Sequence, residues 1–553
     1  MIMEKKSLIL SLLFCFTFFL QANGSFPASE GINHNSSNNN ITQPEERGAY
    51  FYKKKYVPQP IPSYEDNKHL LPKPILDNNK GWVDMYDKCW QLLFNNIKAP
   101  VEGSPFVSNW YDEAFDNSIF QWDIIFMTMF GKYAHHIFPG IRSFDNFYCR
   151  QKLNGSICRR IDEITGKDWF DDNNSNLINP PLFSWAEVEN YKVTGDKSRF
   201  QHILPVLEKY FEFVEKARIG EDTPHKLYWS NGQASGMDNT PRDNGRKRTH
   251  WASDHQGWVD MSSQMVIQCN NIAVICEELG YIEKAEKYKK KSAEIAARIN
   301  YWMWNEEDGL YYDVDTAGVQ TKWKTIACFW PMLAEITSAG QSEALINNLK
   351  NPALFWKDIP FPSLAASYPE YHANGGYWQG AVWAPTNYAT IKGIEQVGDN
   401  AFAKEASERY IEGLYQVFLT TGTLWENYAP EKIDGKFVPG THDYDSTKFC
   451  RTNFVGWTGV GPIALLIENV LGFRLNGADK ILTYDLRRTD RHGVENLRMA
   501  DITTSVICNE RRNEKAKAFL TVQSDKPYKL TVLFHDKSSV FDVQPGTNNF
   551  IVK

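Results

Sequence analysis

The sequence predicts an all-α domain built from antiparallel helix pairs, followed by a small β module. Three patterns in the 553 residues lead to this fold class. Apolar positions recur at helical spacing through residues 80–475, glycine-containing turns separate successive helices, and short β-branched or aromatic runs replace both after about Lys480. Hydrophobic residues make up 42% of the chain, so it can bury a large core and is not a disordered protein.

The N-terminal 70 residues are expected to lie outside the folded domain. An apolar run at residues 8–20 follows two lysines and precedes small residues, which is typical of a signal peptide cleaved after Gly24. A transmembrane anchor is the alternative, but the run is short for a bilayer, and no other stretch could span a membrane. Polar residues rich in Asn and Ser follow, so residues 25–70 are predicted to be a flexible leader. We therefore expect a secreted or periplasmic protein.

Helical periodicity is clear in the segment that begins at Ala285. One face carries apolar or small residues in steps of three and four, and Lys and Glu occupy the other face. The positions on the first face are Tyr288, Ser292, Ile295, Ile299 and Trp302.

Glycines punctuate the helical region at Gly195, Gly280 and Gly398, each at the end of one helical pattern and shortly before the next. Glycine adopts the left-handed conformation that ends many helices, so these positions predict short turns between antiparallel helices. A pair of ordinary helices takes about 60–70 residues, so the stretch 80–475 would hold roughly six pairs. We place the helical domain at residues 71–478.

The C-terminal residues have a different pattern. Short runs at 505–508, 519–522 and 530–534 are β-branched or aromatic, the last with two-residue alternation, and turn residues separate them. Residues 479–553 are therefore predicted to form a small antiparallel β module.

Charge and motif content exclude several classes of function. The net charge is −7, and the one basic cluster, residues 242–248, is short and is interpreted as a solvated loop, so no nucleic acid partner is expected. The eight cysteines after the predicted cleavage site are sparse and are interpreted as small buried hydrophobic residues. Motifs for nucleotide binding, zinc proteases and serine hydrolases do not occur, and we predict no metal and no cofactor.

Two long aromatic loops each contain a candidate catalytic carboxyl group. Hydrolysis of a glycosidic bond needs two such groups, one to protonate the departing oxygen and one to activate water or attack. Asp238 lies in a Gly-, Ser- and Asn-rich turn near Trp229, where shielding from water would keep it protonated. Glu426 follows Trp425 in the second loop. The structural alternatives, an Asp that caps a turn and a Glu in a salt bridge, are locally the stronger interpretations.

Two further segments have the composition of a sugar site. Trp122 and Asp123 stand at a predicted helix start, where the ring could stack on a sugar and the carboxylate could accept hydrogen bonds from hydroxyls. Stabilisation of the helix N-terminus is the alternative for Asp123. Residues 375–383, which include Trp378, Gln379 and Trp383, place aromatic residues among glycines just before a helix. Core packing would explain the tryptophans but not the glycines.

Five segments, in their order along the chain, resemble the catalytic domain shared by trehalases (glycoside hydrolase family 37), processing α-glucosidases (family 63) and mannosylglycerate hydrolase-like enzymes. They read PPLFSWA at 180–186, SGMDNTPR at 235–242, GGYWQGAVW at 375–383, WENY at 425–428 and FVGWTG at 454–459. Asn179 stands where the family has Gln. The resemblance covers roughly residues 80–475.

The resemblance implies an (α/α)6 toroid barrel and hydrolysis with inversion at the anomeric carbon. It implies that Asp238 is the general acid and Glu426 the general base. Neighbouring side chains would line the subsite for the non-reducing sugar. The substrate-binding candidates, from these segments and from the aromatic stretches near residues 122 and 229, are Trp122, Asp123, Trp229, Gly236, Trp378, Gln379, Trp383, Trp425 and Trp457.

Departures from the family pattern bear on specificity. The arginine-bearing stretch with which trehalases grip the second glucose is not clearly present, and Arg159, Arg160 and Arg242 are only loosely comparable. We therefore expect a secreted inverting exo-α-glycosidase that acts on an α-linked glucoside, either a disaccharide or an oligosaccharide. Trehalase and mannosylglycerate-type activity remain alternatives, as does a sugar-binding protein on an inactivated hydrolase scaffold. A sugar epimerase or polysaccharide lyase is less favoured, because those chemistries usually depend on His or Tyr bases.

Overall fold

Helices fill the part of the chain where periodicity predicts them. The computed structural model describes residues 49–113, 115–243, 256–442, 447–535 and 537–553. The predicted signal peptide and residues 25–48 of the predicted leader lie outside these ranges. The helices are α1 (Ala49–Lys53), α2 (Tyr64–Asn67), α3 (Lys80–Asn95), α4 (Gln121–Gly131), α5 (Asp145–Tyr148), α6 (Phe183–Thr194), α7 (Phe200–Arg218), α8 (Val259–Glu278), α9 (Ile282–Trp302), α10 (Trp330–Leu333), α11 (Ala339–Leu349), α12 (Ala384–Gln396), α13 (Asn400–Thr421) and α14 (Gly461–Val470), the last with π-helical turns.

The three glycine turns predicted from the sequence are confirmed. Gly195 follows α6, Gly280 lies between α8 and α9, and Gly398 lies between α12 and α13. Their φ angles are +64°, +76° and +92°, in the left-handed region where a side chain would be strained. Each glycine thus ends one helix and lets the chain turn into its partner.

The helices differ in how many of their faces are buried. Every residue of α4 and of α14 is buried, whereas α9 buries a single stripe. That stripe contains Tyr288, Ser292, Ile295 and Ile299, as predicted, and Trp302 is partly exposed. A helix that is apolar all round belongs inside a fold, and an amphipathic helix belongs on its outside. The helical region therefore has an inner and an outer layer, and α8 packs on α9 across them.

Two sheets contain most of the strands. One has the order β1-β10-β11-β12-β15 and the other β14-β13-β9-β8, while the described residues also form three two-stranded sheets, β2-β3, β4-β5 and β6-β7. The strands are β1 (Lys73–Leu76), β2 (Ile97–Lys98), β3 (Trp110–Tyr111), β4 (Ser118–Phe120), β5 (Arg160–Asp162), β6 (Trp304–Asn305), β7 (Leu310–Tyr311), β8 (Phe473–Asn476), β9 (Ile481–Asp485), β10 (His492–Met499), β11 (Ile502–Cys508), β12 (Ala518–Ser524), β13 (Tyr528–Phe534), β14 (Lys537–Val543) and β15 (Gly546–Val552).

The β module differs from the prediction in its bounds and in one strand pair. Strand β8 begins at Phe473, before the predicted boundary at residue 479, and β1 contributes residues from the N-terminal side of the helical domain. Strands β13 and β9 pair in parallel, so the module is not wholly antiparallel. Periodicity could not assign β1, because a four-residue strand is defined by its partner, here Ile75 opposite Gly493.

The predicted leader is too long at its C-terminal end, because residues 49–70 are attached to the helical domain. Phe51 is 1% exposed and its ring lies 5.1 Å from that of Tyr148. Lys54 Nζ lies 2.5 Å from a carboxylate oxygen of Asp145. A buried aromatic ring and a half-buried ion pair hold this segment in place.

The described residues cluster as one unit, and the apolar side chains of helices and sheets form a continuous core. The eight cysteines of the described ranges are unpaired and buried, which confirms their interpretation as small core residues. Within the same ranges, no helix combines the length and apolar character needed to cross a membrane.

Candidate active site

The loop that carries Asp238 is fixed by its own hydrogen bonds and rests on Trp122. The Asn231 side chain accepts a hydrogen bond from the amide of Ala234 at 2.9 Å. Gly236 has a φ of +80°, and a Cβ built there would lie 3.1 Å from the indole of Trp122. The loop backbone therefore lies directly against the start of α4. Asp238 itself is partly exposed.

Asn239 joins this loop to the glycine-rich segment at 375–383. Its side-chain oxygen accepts from the amide of Trp378 at 2.7 Å, and its side-chain nitrogen donates to the carbonyl of Gly376 at 3.1 Å. Gln379 donates to the Asn239 carbonyl at 3.1 Å. Gln379 therefore contacts the loop that carries Asp238.

The glycines of that segment have a backbone reason. Gly375, Gly376 and Gly380 have φ angles of +120°, +55° and +152°, and a Cβ on Gly380 would collide with the carbonyl oxygen of His372. Only glycine allows the chain to turn back so tightly here.

Trp378 and Trp383 do not lie where a sugar could stack on them. Their rings stack on each other with centroids 4.2 Å apart and planes 3° from parallel, and they are 1% and 0% exposed. The predicted contact of these two rings with sugar is therefore wrong for this conformation, since neither ring has an open face. They pack beneath the loops, and Trp383 donates to the Tyr377 carbonyl at 3.1 Å.

Glu426 is almost completely buried, at 1% exposed, and is surrounded by donors. Its carboxylate forms an ion pair with the Arg451 guanidinium, and it also accepts from the Arg451 amide at 3.2 Å and from the Tyr377 hydroxyl at 3.4 Å. Burial raises the pKa of Glu426, and the Arg451 charge opposes that rise without cancelling it. The salt-bridge alternative for Glu426 is thus realised, with a cation whose side chain is 37% exposed.

Asp123 connects the two candidate catalytic groups. It is 4% exposed, and burial raises its pKa well above the ordinary value, with the nearby Glu426 carboxylate adding to the rise. The charge of Arg159 opposes the rise in the pKa of Asp123. Burial lowers the pKa of Arg159 itself, and the Asp238 carboxylate opposes that decrease. Electrostatic interactions therefore link Asp238 to Arg159, Arg159 to Asp123, and Asp123 to Glu426 and Arg451.

The remaining predicted residues support the loops in different ways. Trp457 donates from Nε1 to the Glu426 carbonyl at 2.8 Å, which fixes the backbone of that residue. Trp425 is partly exposed and donates to the Thr421 hydroxyl at 3.1 Å. Trp229 is also partly exposed, and the Arg218 guanidinium lies 4.0 Å from its ring centre.

Asn179, which stands where the family has Gln, holds the Asp238 loop. Its side-chain nitrogen donates to the Ala234 carbonyl at 3.2 Å. The residue at this position therefore contacts the loop that carries Asp238.

Arg242 corrects the interpretation of the basic cluster as a solvated loop. It is 0% exposed and forms paired hydrogen bonds of 2.7–2.9 Å with Asp260 and Asp313. The guanidinium is held inside the domain, because two buried carboxylates and the face of Trp258, 4.2 Å away, compensate its charge. Residues 244–248 of the cluster lie outside the described ranges.

Sequence reasoning missed three residues of this region. Arg451 lies in an aromatic loop that its length marked as functional, but no motif singled it out. Tyr377 lies within the glycine-rich segment, but the sequence pattern assigned no role to its hydroxyl group. Glu113 is 0% exposed, neither of its carboxyl oxygens has a hydrogen-bond partner in the described residues, and burial, Asp112 and Asp123 raise its pKa well above the ordinary value.

No group of three or more His, Cys, Asp and Glu side chains within the described ranges could hold a metal ion.

Solved structures with a similar fold include glycoside hydrolases. The family 63 mannosylglycerate hydrolase from Thermus thermophilus, in complex with Tris and D-glycerate, is 16% identical with a TM-score of 0.54, over 69% of this chain and 99% of that one. Neutral trehalase from Saccharomyces cerevisiae is 14% identical with a TM-score of 0.51, over 65% of this chain and 73% of that one. These two comparisons show a shared fold.

The family follows from the sequence match. Residues 125–447 match the mannosylglycerate hydrolase MGH1-like glycoside hydrolase domain, and the chain belongs to that family. The resemblance found in the five sequence segments is confirmed. An uncharacterized protein from Borreliella burgdorferi is 28% identical over 489 residues, covering 87% of this chain and 98% of that protein.

Proposed function

We propose that the protein is an inverting exo-α-glycosidase whose paired helices close into an (α/α)6 toroid barrel. The observation that carries this proposal is the set of electrostatic interactions that links Asp238, through Arg159 and Asp123, to Glu426 within a glycoside hydrolase domain. An inverting enzyme needs an acid and a base on opposite faces of the sugar, about 6.5–9.5 Å apart so that a water fits between them.

In the proposed reaction, the carboxylic acid of Asp238 gives its proton to the glycosidic oxygen as the C1–O bond breaks. A water molecule on the opposite face adds to C1 and passes a proton to the Glu426 carboxylate. The product has the opposite anomeric configuration, and Glu426 then releases its proton to solvent while Asp238 takes one up. Arg451 would favour the ionised form of Glu426 that a base requires, while burial opposes it.

The proposed substrate is an α-linked sugar, and two substrate classes are equally well supported. The sequence segments favour an α-glucoside, and the family description favours a glycoside of mannose and glycerate. Trehalose is a third candidate, supported by the fold shared with trehalase. Release of monosaccharide from α-linked disaccharides, trehalose and mannosylglycerate would decide among them. NMR of the first-formed anomer tests inversion, and a product that keeps the substrate's configuration would reject it.

The two carboxyl groups are tested by Asp238→Asn and Glu426→Gln, each of which should lower kcat by about 10²–10⁴-fold because a proton-transfer group is lost. Glu343→Gln is the matched control, since Glu343 is an exposed carboxylate on α11 and should leave kcat unchanged. Thermal unfolding would show that all three variants fold. Near-normal turnover in either loop variant removes that residue from the mechanism.

One observation favours a second candidate, a sugar-binding protein on an inactivated hydrolase scaffold. Glu426 is 1% exposed and paired with Arg451, which leaves its carboxylate little access to water in this conformation. Calorimetric binding of a sugar from the same panel, without hydrolysis over days, would support this alternative over the enzyme.

We also propose export of the chain, on the basis of the apolar run and small residues that precede Ser25. N-terminal sequencing of protein purified from its native cell should find Ser25 as the first residue. An intact Met1 would reject cleavage.

A further inference from the structure

An exposed tryptophan outside the predicted site is held in a fixed position. Trp169 is 52% exposed. Its indole nitrogen donates to the Ser118 hydroxyl at 2.9 Å, and its amide donates to the Arg160 carbonyl at 3.1 Å. A single exposed apolar residue is ordinary on a protein surface, so exposure alone carries no meaning. The packing of this ring against its neighbours is more informative.

Trp169 is the outer member of a stack of rings and guanidinium groups. The Arg160 guanidinium lies 3.7 Å from the Trp169 ring centre and 5.0 Å from that of Phe120. The Phe120 and Phe115 ring centres are 5.1 Å apart, and the Arg451 guanidinium lies 4.4 Å from the Phe115 ring centre. We call these five side chains the aromatic ladder.

The aromatic ladder ends at the candidate active site. Its inner member, Arg451, forms the ion pair with Glu426. Phe120 lies two residues before Trp122 and directly precedes α4, which carries Asp123. The ladder is therefore continuous with the site at its inner end and reaches solvent at Trp169. Phe115, Phe120 and Arg160 are each partly exposed along its length.

The charges on the aromatic ladder are compensated from the protein side. Arg160 donates to the Asp116 carboxylate at 2.8 Å, and Arg451 is paired with Glu426. A ligand that needed a free cation would find both guanidinium groups already neutralised. Ring faces, ring edges and guanidinium planes remain, and these suit a neutral ligand with apolar C–H faces and hydroxyl groups. A pyranose has that chemistry.

We propose that the aromatic ladder binds the leaving-group side of a neutral oligosaccharide, with Trp169 as its outer sugar platform. This proposal rests on the proposed glycosidase function and deepens it. The natural substrate is then a chain of at least three sugars, cut at its non-reducing end. A disaccharide, or a sugar joined to a small acid, would leave the outer part of the ladder unused.

The test compares two substrates that share one terminal linkage. The disaccharide panel identifies the linkage that the wild type cuts, and the tetrasaccharide of the same linkage is then assayed beside it: maltose with maltotetraose, nigerose with nigerotetraose, kojibiose with kojitetraose, or the α-mannose counterparts. For Trp169→Ala, kcat/KM on the tetrasaccharide should fall about tenfold, which corresponds to ~1.4 kcal/mol of lost binding. On the disaccharide the change should stay below about twofold.

Two further variants make the result specific. Trp169→Phe retains a ring and should recover part of the loss on the tetrasaccharide. Tyr301→Ala removes an aromatic residue of comparable exposure, 66%, outside the aromatic ladder, and both substrates should be unaffected. Thermal unfolding of each variant excludes general destabilisation.

The outcomes separate this inference from the proposed function. A wild type that releases no monosaccharide from any member of the panel contradicts the glycosidase proposal. A wild type that cuts only trehalose or mannosylglycerate overturns the ladder proposal alone. A wild type that cuts both, with equal losses or no losses in Trp169→Ala, overturns the ladder proposal alone. If Trp169→Ala does not fold, an unchanged tetrasaccharide-to-disaccharide ratio in Trp169→Phe overturns it as well.

Discussion

Removal of the positive charge beside Glu426 should move the acidic limb of the pH–rate profile. Arg451→Met preserves the length of the side chain and its packing on Phe115, and deletes the cation that favours the ionised carboxylate. Burial, which raises the pKa of Glu426, would then meet weaker opposition, from the hydrogen bond of the residue 451 backbone amide and from His442.

The size of the shift follows from the exposure of the pair. An opposite charge within a few ångströms moves a carboxyl pKa by about 1–3 units. The Arg451 side chain is 37% exposed, so solvent screening places the effect at the lower end of that range, at about one unit. One unit corresponds to about 1.4 kcal/mol between the two protonation states.

The direction of the shift is set by the role of the group. A general base works ionised, so a higher pKa for Glu426 means that activity is lost at a higher pH as the solution is acidified. The acidic limb of kcat/KM, which reports the free enzyme, should therefore move up by about one pH unit in Arg451→Met. Arg451→Lys keeps the charge and should move the limb less.

The assay is a pH series of kcat/KM on the best disaccharide, with thermal unfolding measured at each pH to exclude loss of the fold. A limb that stays in place in Arg451→Met, or that moves to lower pH, would refute the assignment of Glu426 as the base that Arg451 keeps ionised.

Three further predictions concern stability. Above the ordinary glutamate pKa, the free energy of unfolding of Glu113→Gln should increase relative to that of the wild type by about 1.4 kcal/mol for each pH unit. The reason is that the unpaired buried carboxyl of the wild type stays protonated in the folded state and ionises in the unfolded state. Urea-unfolding profiles of the two proteins that run parallel over pH would contradict this. Gly236→Ala should cost about 1–3 kcal/mol from its φ of +80°, and should lower kcat because the same loop carries Asp238; unchanged Tm and kcat would oppose it. Arg242→Met should cost about 3–5 kcal/mol by leaving two buried carboxylates without a cation, and a urea-denaturation loss below about 1 kcal/mol would be inconsistent with that role.

The burial of Glu426 has a consequence for how the site would work. Glu426, the proposed base, is 1% exposed and is held by the Arg451 side chain, Tyr377 and the Arg451 amide, so its carboxylate is well oriented but poorly hydrated. Admission of a water to its carboxylate requires one of these donors to shift, and Arg451 is the exposed one. The pH series and the hydrolysis assay therefore both test the ion pair of Glu426 and Arg451.

The sequence by itself determined the local features of this protein. Helical periodicity and the left-handed glycines at 195, 280 and 398 fixed the helix pairs, since both depend on the conformation of a few neighbouring residues. The carboxyl-bearing loops were also recognised from sequence, because Gly, Pro and aromatic residues cluster there.

Only the tertiary structure decided which side chains face each other and which are covered. Trp378 and Trp383 have the composition of a sugar platform, but their rings stack on each other and are 1% and 0% exposed. Arg242 stands in a basic run, yet Asp260 and Asp313, both distant in sequence, enclose it. Arg159 and Arg451 carry no motif and come to the carboxyl groups only through the fold. Burial and charge pairing are set by residues far apart along the chain, and a local pattern does not contain them.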